Sequence, residues 1–390
     1  MTTDSLEARD LTSADHDQAF AIRTRSFGRL DDSMRDGWNS LQDGLIGQRR
    51  VIGVFDGGRL VGQAKSRPFE QFWGGRPVPM SGIAGVVVSP EYRGRGVASM
   101  MMRALAERSV ELGDSVSALY PATLAPYRRT GWEVAGVQTR ITIDSHHLRG
   151  LGSPDLPLRP GNKSDVSRAQ QLIAARYSTQ KANGPKLLTT EEIHEALSDD
   201  AAFSYFTDDG FVLYEWHDAN LLVTCMVAPS VQSARALWGV VGSGASVAKK
   251  VHAYVSPDDP IHLLLPEEVA HEARHNRWML RLLDARAAVA ARGFPEAVSG
   301  SAKLNIEDPL LPTHDGHWLL EVNGGFGSLA EAVPAGDPLR IGPNGLAALY
   351  AGTPVSVLRV AGLALDGTAQ DDAFLDSAFV GRTPYLLEYF

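Results

Sequence analysis

The run Gly85-Val-Val-Val-Ser-Pro-Glu-Tyr-Arg-Gly-Arg-Gly-Val-Ala-Ser99 constrains this chain more than any other part of it. An apolar, strand-like stretch leads into a glycine-rich turn. Beyond the turn, Ala98, Met101, Met102, Leu105 and Leu112 recur at helical spacing between Arg103, Glu107, Arg108 and Glu111. A strand that feeds a helix through Arg93-Gly-Arg-Gly-Val-Ala98 exposes successive backbone N–H groups at the positive end of the helix dipole, which suits a pyrophosphate. Gly94 and Gly96 carry no Cβ to keep phosphates away, and Arg93 and Arg95 can add charge-assisted bonds. A glycine turn that merely starts a helix has the same letters, so the motif is read together with its surroundings.

Those surroundings predict a mixed α/β unit. Helices are expected at 19–27 and 34–45, then a hairpin over 51–65 turning at Asp56-Gly57-Gly58, and a strand at 81–88. After the 93–113 helix come a short buried strand at 116–120, a helix or turn at 125–130 and a further strand at 132–143. Residues 146–160, rich in Gly, Pro and Leu, read as a linker. A second α/β unit follows, with helices at 165–177 and 189–197, strands around Asp208-Asp-Gly210, and helix and strand within 248–265. It has no counterpart of the glycine turn. Residues 276–292 are predicted as a helix whose apolar face comprises Trp278, Met279, Leu282, Leu283 and Ala287 or Ala290. That helix opens an α+β unit continuing through 318–323, the Gly324-Gly325 turn and helices at 343–350 and 374–379. A chain of 390 residues exceeds one core, and the division expected is 1–147, 148–275 and 276–390.

A net charge of −9 argues against a nucleic-acid surface and makes cationic small molecules the more natural partners, although mild acidity is also ordinary for cytosolic proteins. Cys225 is the only cysteine, which removes a disulfide framework and a Cys-based zinc site; no metal-ligating set is predicted. Residues 1–20 lack the basic start and apolar stretch of a signal peptide, and no run approaches the roughly 20 apolar residues of a membrane span. A cytoplasmic protein with no membrane partner is expected.

The order of strand, glycine turn, amphipathic helix and later strand with Tyr127 resembles that of GNAT-type acetyltransferases. The resemblance implies that Val86, Val87 and Val88 pair with the pantetheine arm of acetyl-CoA. It also implies that the amides of Gly94, Arg95, Gly96, Val97, Ala98 and Ser99 hold the pyrophosphate. Two strands would splay near Val88 and Tyr120 to admit the cofactor, with Ala122 and Thr123 beside its thioester end. Acetyl transfer to an amine needs a neutral amine, a stabilised oxyanion and a protonated leaving thiol. A backbone N–H near Val88 can face the carbonyl oxygen. Tyr127, in Pro126-Tyr-Arg-Arg-Thr-Gly-Trp132, stands where these enzymes place a proton-donating tyrosine. A phenol titrating near pH 10 is protonated at neutrality yet can give its proton to a thiolate. On the residues alone, Tyr127 also reads as a rim aromatic.

The chain length, the three-part order, the run Asn276-Arg-Trp-Met-Leu-Arg-Leu-Leu-Asp284 and the tail over 342–390 resemble the enhanced intracellular survival (Eis) acetyltransferases across essentially the whole chain. The resemblance implies tandem GNAT-type domains, the second without a cofactor motif, followed by a sterol-carrier-protein-like domain. It further implies that the α-carboxylate of the terminal Phe390 accepts a proton while the amine attacks the thioester directly. Acceptors would be aminoglycoside amines at several positions, or lysine-bearing substrates, and the assembly a homohexamer. By itself the tail Pro384-Tyr-Leu-Leu-Glu-Tyr-Phe390 reads as an apolar terminus packed on a sheet, and an α-carboxylate with an ordinary pKa of roughly 3.5 is a weak base unless burial or a relay helps it. Asp31, Asp32, Asp36, Trp38 and Glu388 are candidates for an acidic, aromatic-rimmed acceptor cleft, the carboxylates reading equally as a solvated face. Two other classes remain open: a non-catalytic acyl-CoA-binding or scaffold protein, and a lipid carrier.

Overall fold

In a computed structural model, which describes residues 6–152, 156–267 and 274–390, two β-sheets organise the chain. Strands β1 (Leu6–Asp10), β2 (Val51–Asp56), β3 (Arg59–Trp73) and β4 (Arg76–Val88) form an antiparallel array. The β2–β3 turn uses Gly57 and Gly58, and the β3–β4 turn uses Gly74 and Gly75, all at positive φ as tight hairpins require. The second hairpin runs well beyond the strands expected from sequence. Pro68, Pro77 and Pro79 withhold ladder donors and so disguise its length.

Helices α1 (His16–Phe27) and α2 (Arg35–Gly47) lie between β1 and β2, and α3 (Val97–Glu111) carries the chain from β4 into the parallel strand β5 (Val116–Leu119). Gly62 lets α3 sit close, since a Cβ there would lie 2.7 Å from Val97 Cγ1. A short helix, α4 (Ala125–Arg128), then leads to β6 (Glu133–Asp144).

The second unit adds β7 (Arg159–Pro160), β8 (Ala202–Phe206), β9 (Phe211–His217), β10 (Asn220–Val227) and β11 (Lys250–Val255). The expected linker is largely structured. Residues Ser145–Arg149 are helical, and Leu148 and Leu151 are buried in the core of this unit; residues 153–155 lie outside the described ones.

The largest departure concerns residues 276–292. They are not one helix: Arg274–Leu282 is a strand, β12, and the helix is confined to Ala285–Ala291, capped where Asp284 accepts from Ala287 N at 2.9 Å. Trp278, Met279, Leu280, Arg281 and Leu282 are all buried. Consecutive burial marks a strand covered on both faces, which the apolar spacing alone does not separate from a helix. Strand β12 inserts antiparallel between β5 and β6, giving the order β1-β2-β3-β4-β5-β12-β6-β11-β10-β9-β8-β7. The expected boundary at 275/276 falls within this strand.

The last unit contains β13 (Gly300–Ile306), β14 (Gly316–Asn323), β15 (Phe326–Glu331), β16 (Leu339–Ile341) and β17 (Ala364–Asp366), in the order β15-β14-β13-β16-β17. Helices Pro343–Tyr350, Val355–Val360 and Ala369–Phe379 contribute to its core. Its joints to the first unit are specific. Leu310 and Leu311 enter the core beneath α3, and Asn344 Nδ2 donates to Arg128 O at 3.1 Å and Trp132 O at 3.0 Å. The Arg281 guanidinium on β12 meets Asp308 at 2.7 and 2.8 Å, both side chains fully enclosed. Burial opposes the Asp308 charge, but His314 and Arg281 overcome it and hold the carboxyl down at about 2.

The final residues thread between the units. Val137 N donates to Pro384 O and Leu386 N to Val137 O, both at 3.1 Å, while Tyr385 N donates to Asn183 O at 3.1 Å. Tyr385 and Leu387 enter the second unit's core and Leu386 that of the third. Gly136 and Gly184 make room, since a Cβ would stand 2.4 Å from Pro384 O in one case and 2.7 Å from Tyr385 O in the other.

Asp308→Ala leaves the Arg281 charge buried without its carboxylate, and is expected to destabilise the protein by about 3–5 kcal/mol, read as a lowered urea midpoint.

Candidate active site

Strands β4 and β5 pair only from Met80↔Val116 to Ile83↔Leu119 and then part. From Ala84 to Val88, β4 keeps its ladder with β3 on one edge and, among the described residues, has no neighbouring strand on the other. The β3 register shifts between Gln63 and Lys65 opposite Gly85 and Val86, so a bulge lies there, with Gly85 at φ +62. The bulge re-aims the strand. Val86 and Val88 line the cleft that opens at the parting, whereas Val87 is buried on the opposite face against the core of α1 and α2.

The cleft has a volume of about 580 Å³ and continues from Val86 and Val88 to the start of α3 and across to α4. At its far end Gly94 and Gly96 adopt φ +77 and +81, and a Cβ on either would meet no protein atom within 4 Å. The glycines are thus required for a left-handed turn, and the space above them is open to an approaching ligand. Among the described residues no side chain caps the N-terminus of α3, whose first turn contributes Val97, Ala98 and Ser99 to the lining. This uncapped, cleft-facing N-terminus fits a pyrophosphate.

Thr123 and Tyr127 stand on the other wall. Arg95 and Ala122 do not line the cleft; the Arg95 guanidinium instead lies 5.2 Å from the Tyr92 ring centre. Sequence reasoning passed over Tyr92, Met102, Pro126 and Arg129, which do line it, as does Arg93. Tyr92 is oriented by donating to Asp56 Oδ2 at 2.6 Å. Its place directly before the Arg-Gly-Arg-Gly turn was the signal available.

Tyr127 sits on α4, a turn held from two sides. Arg128 pairs with Glu133 at 2.7 Å, and Asn344 of the third unit bonds the carbonyls of Arg128 and Trp132. Burial, aided by nearby Tyr389, raises the Tyr127 phenol above its ordinary value, so it is a proton donor throughout the neutral range.

The chain end reaches the same fork. The Phe390 ring lies 5.4 Å from that of Phe69 on β3 and 5.6 Å from that of Tyr120, just after β5. Gly82 on β4 admits it, since a Cβ there would be 3.0 Å from Phe390 Cδ2. Tyr120 stacks on Tyr389 at 4.4 Å and donates from Oη to Glu388 O at 2.9 Å. Burial raises the Tyr120 phenol strongly, so it stays a donor.

The remaining acidic candidates are dispersed. Asp31 is exposed and turns back to accept from Ser33 N and Oγ at 3.0 and 2.8 Å, and Asp36 is exposed; the side chain of Asp32 lies outside the described ones. Trp38 packs edge-on against Phe20 at 5.3 Å, a contact within the α1–α2 pair. Glu388, in contrast, is turned inward with both carboxylate oxygens buried. Asp144, His146 and His147, which sequence reading did not single out, bring potential metal-ligand atoms within 4.8 Å of one another.

Comparison with known proteins agrees with this geometry. Residues 7–135 and 188–282 each match an acetyltransferase (GNAT) domain, and residues 285–387 match a sterol carrier protein domain. The crystal structure of a GCN5-related N-acetyltransferase from Kribbella flavida superposes with a TM-score of 0.97 at 44% identity, covering 100% of both chains. The chain belongs to the GCN5-related N-acetyltransferases. An uncharacterized N-acetyltransferase of Streptomyces griseus is 29% identical over 87% of this chain and 89% of its own. Eis1 from Mycobacterium abscessus shares the fold at 22% identity, with a TM-score of 0.76 over 99% of this chain and 100% of its own.

This GCN5-related N-acetyltransferase is therefore an acyltransferase with two GNAT domains and a sterol-carrier-like domain, and acetyl-CoA is the acetyl donor of its family. Among the described residues no helix is long and apolar enough to cross a membrane. Replacing Gly96 with Ala forces a side chain into a left-handed position costing about 1–2 kcal/mol, and about tenfold weaker acetyl-CoA binding by calorimetry is expected as the turn shifts.

Proposed function

We propose that this enzyme acetylates primary amines of cationic small molecules, aminoglycosides at several positions among them, by direct attack of the amine on the thioester. In this reading the chain acts as a member of the Eis acetyltransferases. Residues 1–147 hold acetyl-CoA through Val86, Val88, Gly94, Gly96, Val97, Ala98, Ser99 and Thr123. Residues 148–275 and 276–390 frame the acceptor side and deliver the tail. Tyr127 gives its proton to the departing thiol. The α-carboxylate of Phe390 takes a proton from the incoming ammonium, and the N–H near Val88 faces the developing oxyanion.

The observation that carries this reading is the meeting of Tyr127, Tyr120 and the Tyr389–Phe390 end at the β4–β5 fork. A lipid carrier needs an apolar tunnel in the last unit; Trp318, Leu320, Leu339, Leu349 and Leu375 instead pack together in its interior. A non-catalytic acyl-CoA binder gives no reason for Tyr127 to be held by a neighbouring unit.

Free-thiol release from acetyl-CoA is measured against kanamycin, putrescine and a lysine peptide. Tyr127→Phe is expected to lower turnover by about 100-fold or more with acetyl-CoA binding unchanged. Deleting Phe390 is expected to do the same, and unchanged turnover after that deletion rejects the base assignment. The hexamer implied by the same resemblance is tested by analytical ultracentrifugation, where a monomer overturns it.

A further inference from the structure

Glu388 stands two residues before Phe390 in an otherwise apolar and aromatic run, Tyr385-Leu-Leu-Glu-Tyr-Phe390. Its backbone is fixed by the Tyr120 hydroxyl, and its side chain turns inward. Among the described residues no group makes a hydrogen bond to either carboxylate oxygen, although the adjacent amides of Leu387 and Glu388 favour its charge.

The groups whose charge or polarity acts on it come from several elements. They are Tyr120 after β5, Tyr177 from helix Val166–Thr179, Cys225 on β10, and Lys186 with Glu192. Lys186 is the cation that favours its charge, but the Lys186 ammonium bonds both Glu192 oxygens at 2.7 and 2.9 Å, and Arg67 on β3 also leans on Glu192 at 3.8 Å. Glu388 is thus left without a dedicated counter-ion. Burial pushes its carboxyl up to about 7, with Lys186 pulling down and Glu192 pushing further up. A buried carboxylate without partners weakens a fold, and a leucine would pack there at less cost. Its place beside the reacting end points to proton chemistry.

We propose that Glu388 is the final holder of the proton removed from the acceptor ammonium, receiving it from the terminal carboxylate of Phe390. The inference rests on the amine-acetylating reading above and deepens it. The terminal carboxylate takes one proton from R–NH3+, passes it to Glu388 and returns to its charged form. The neutral amine forms the N–C bond as the C–S bond breaks. Tyr127 protonates the leaving thiolate and recovers a proton from the acylated nitrogen. Glu388 then releases its proton to solvent, so the net products are amide, thiol and one proton. A group whose affinity for protons is balanced at neutrality performs this step better than a free α-carboxylate.

The test uses the full-length protein labelled with 13C at glutamate carboxyls, with the Glu388 resonance assigned from its loss in Glu388→Gln. A midpoint near 7 is expected, and a midpoint in the ordinary carboxylate range overturns the proposal. In parallel, kcat/KM for kanamycin and putrescine is followed against pH. Wild type is expected to lose rate below neutrality. Glu388→Gln, with thermal unfolding and acetyl-CoA affinity as wild type, is expected to lose about 100-fold and flatten that limb, while Glu388→Asp recovers part of it. A Gln variant that keeps both rate and limb overturns the proposal. A wild-type protein that acetylates neither amine, its Glu388 resonance still titrating near neutrality, overturns instead the acceptor reading on which the proposal depends.

Discussion

The site depends on a hydrogen-bonding deficit. When β4 and β5 part after Ile83 and Leu119, one edge of β4 loses its ladder while its other edge stays bound to β3. Backbone groups deprived of a strand inside a protein demand another partner, and an extended amide-bearing ligand arm meets that demand. The bulge at Gly85 turns Val86 and Val88 into the opening, and the parallel crossover puts the N-terminus of α3 at its end. In the proposed reading, holding a pyrophosphate and presenting a thioester are tasks of the two ends of this one cleft.

The tail occupies the other part of that parting, and its position is determined from outside the catalytic unit. Two cores meet along residues 385–387, and neighbouring side chains enter different ones. Two glycines without side chains, Gly136 and Gly184, let the backbone pass. Tyr120 then fixes Glu388 and Tyr389 through one hydrogen bond and one stacked ring. Asn344, from the last unit, steadies the turn that bears Tyr127. Each proposed proton-transfer group is therefore positioned by contacts from more than one unit.

Much of this was legible in the residues, and for identifiable reasons. Local signals were read well: the Gly57-Gly58 hairpin, the glycine turn before α3, and the amphipathic helix behind it all depend on near neighbours. Long-range facts were not. The side of β4 that Val87 faces is set by a bulge. The apolar run at 278–283 satisfies a helical face and a doubly buried strand equally, and only insertion between β5 and β6 decides. Glu388 looked like a rim charge beside the terminus; its carboxylate is buried, and its electrostatic surroundings include Tyr177, Cys225 and Lys186, none of them near in sequence.

The insertion of β12 also sets an order of events. Val116–Leu119 on β5 pair with Met279–Leu282, and Glu133 on β6 pairs with Leu280, each across more than a hundred intervening residues, so the central ladder of the sheet cannot close during synthesis until the second unit has been made. Until then β5 and β6 present open edges, the condition that favours wrong pairing and aggregation. An excised first unit ending near residue 147 inherits that exposed seam permanently. The glycine turn and its helix are a portable motif; the sheet that supports them is not.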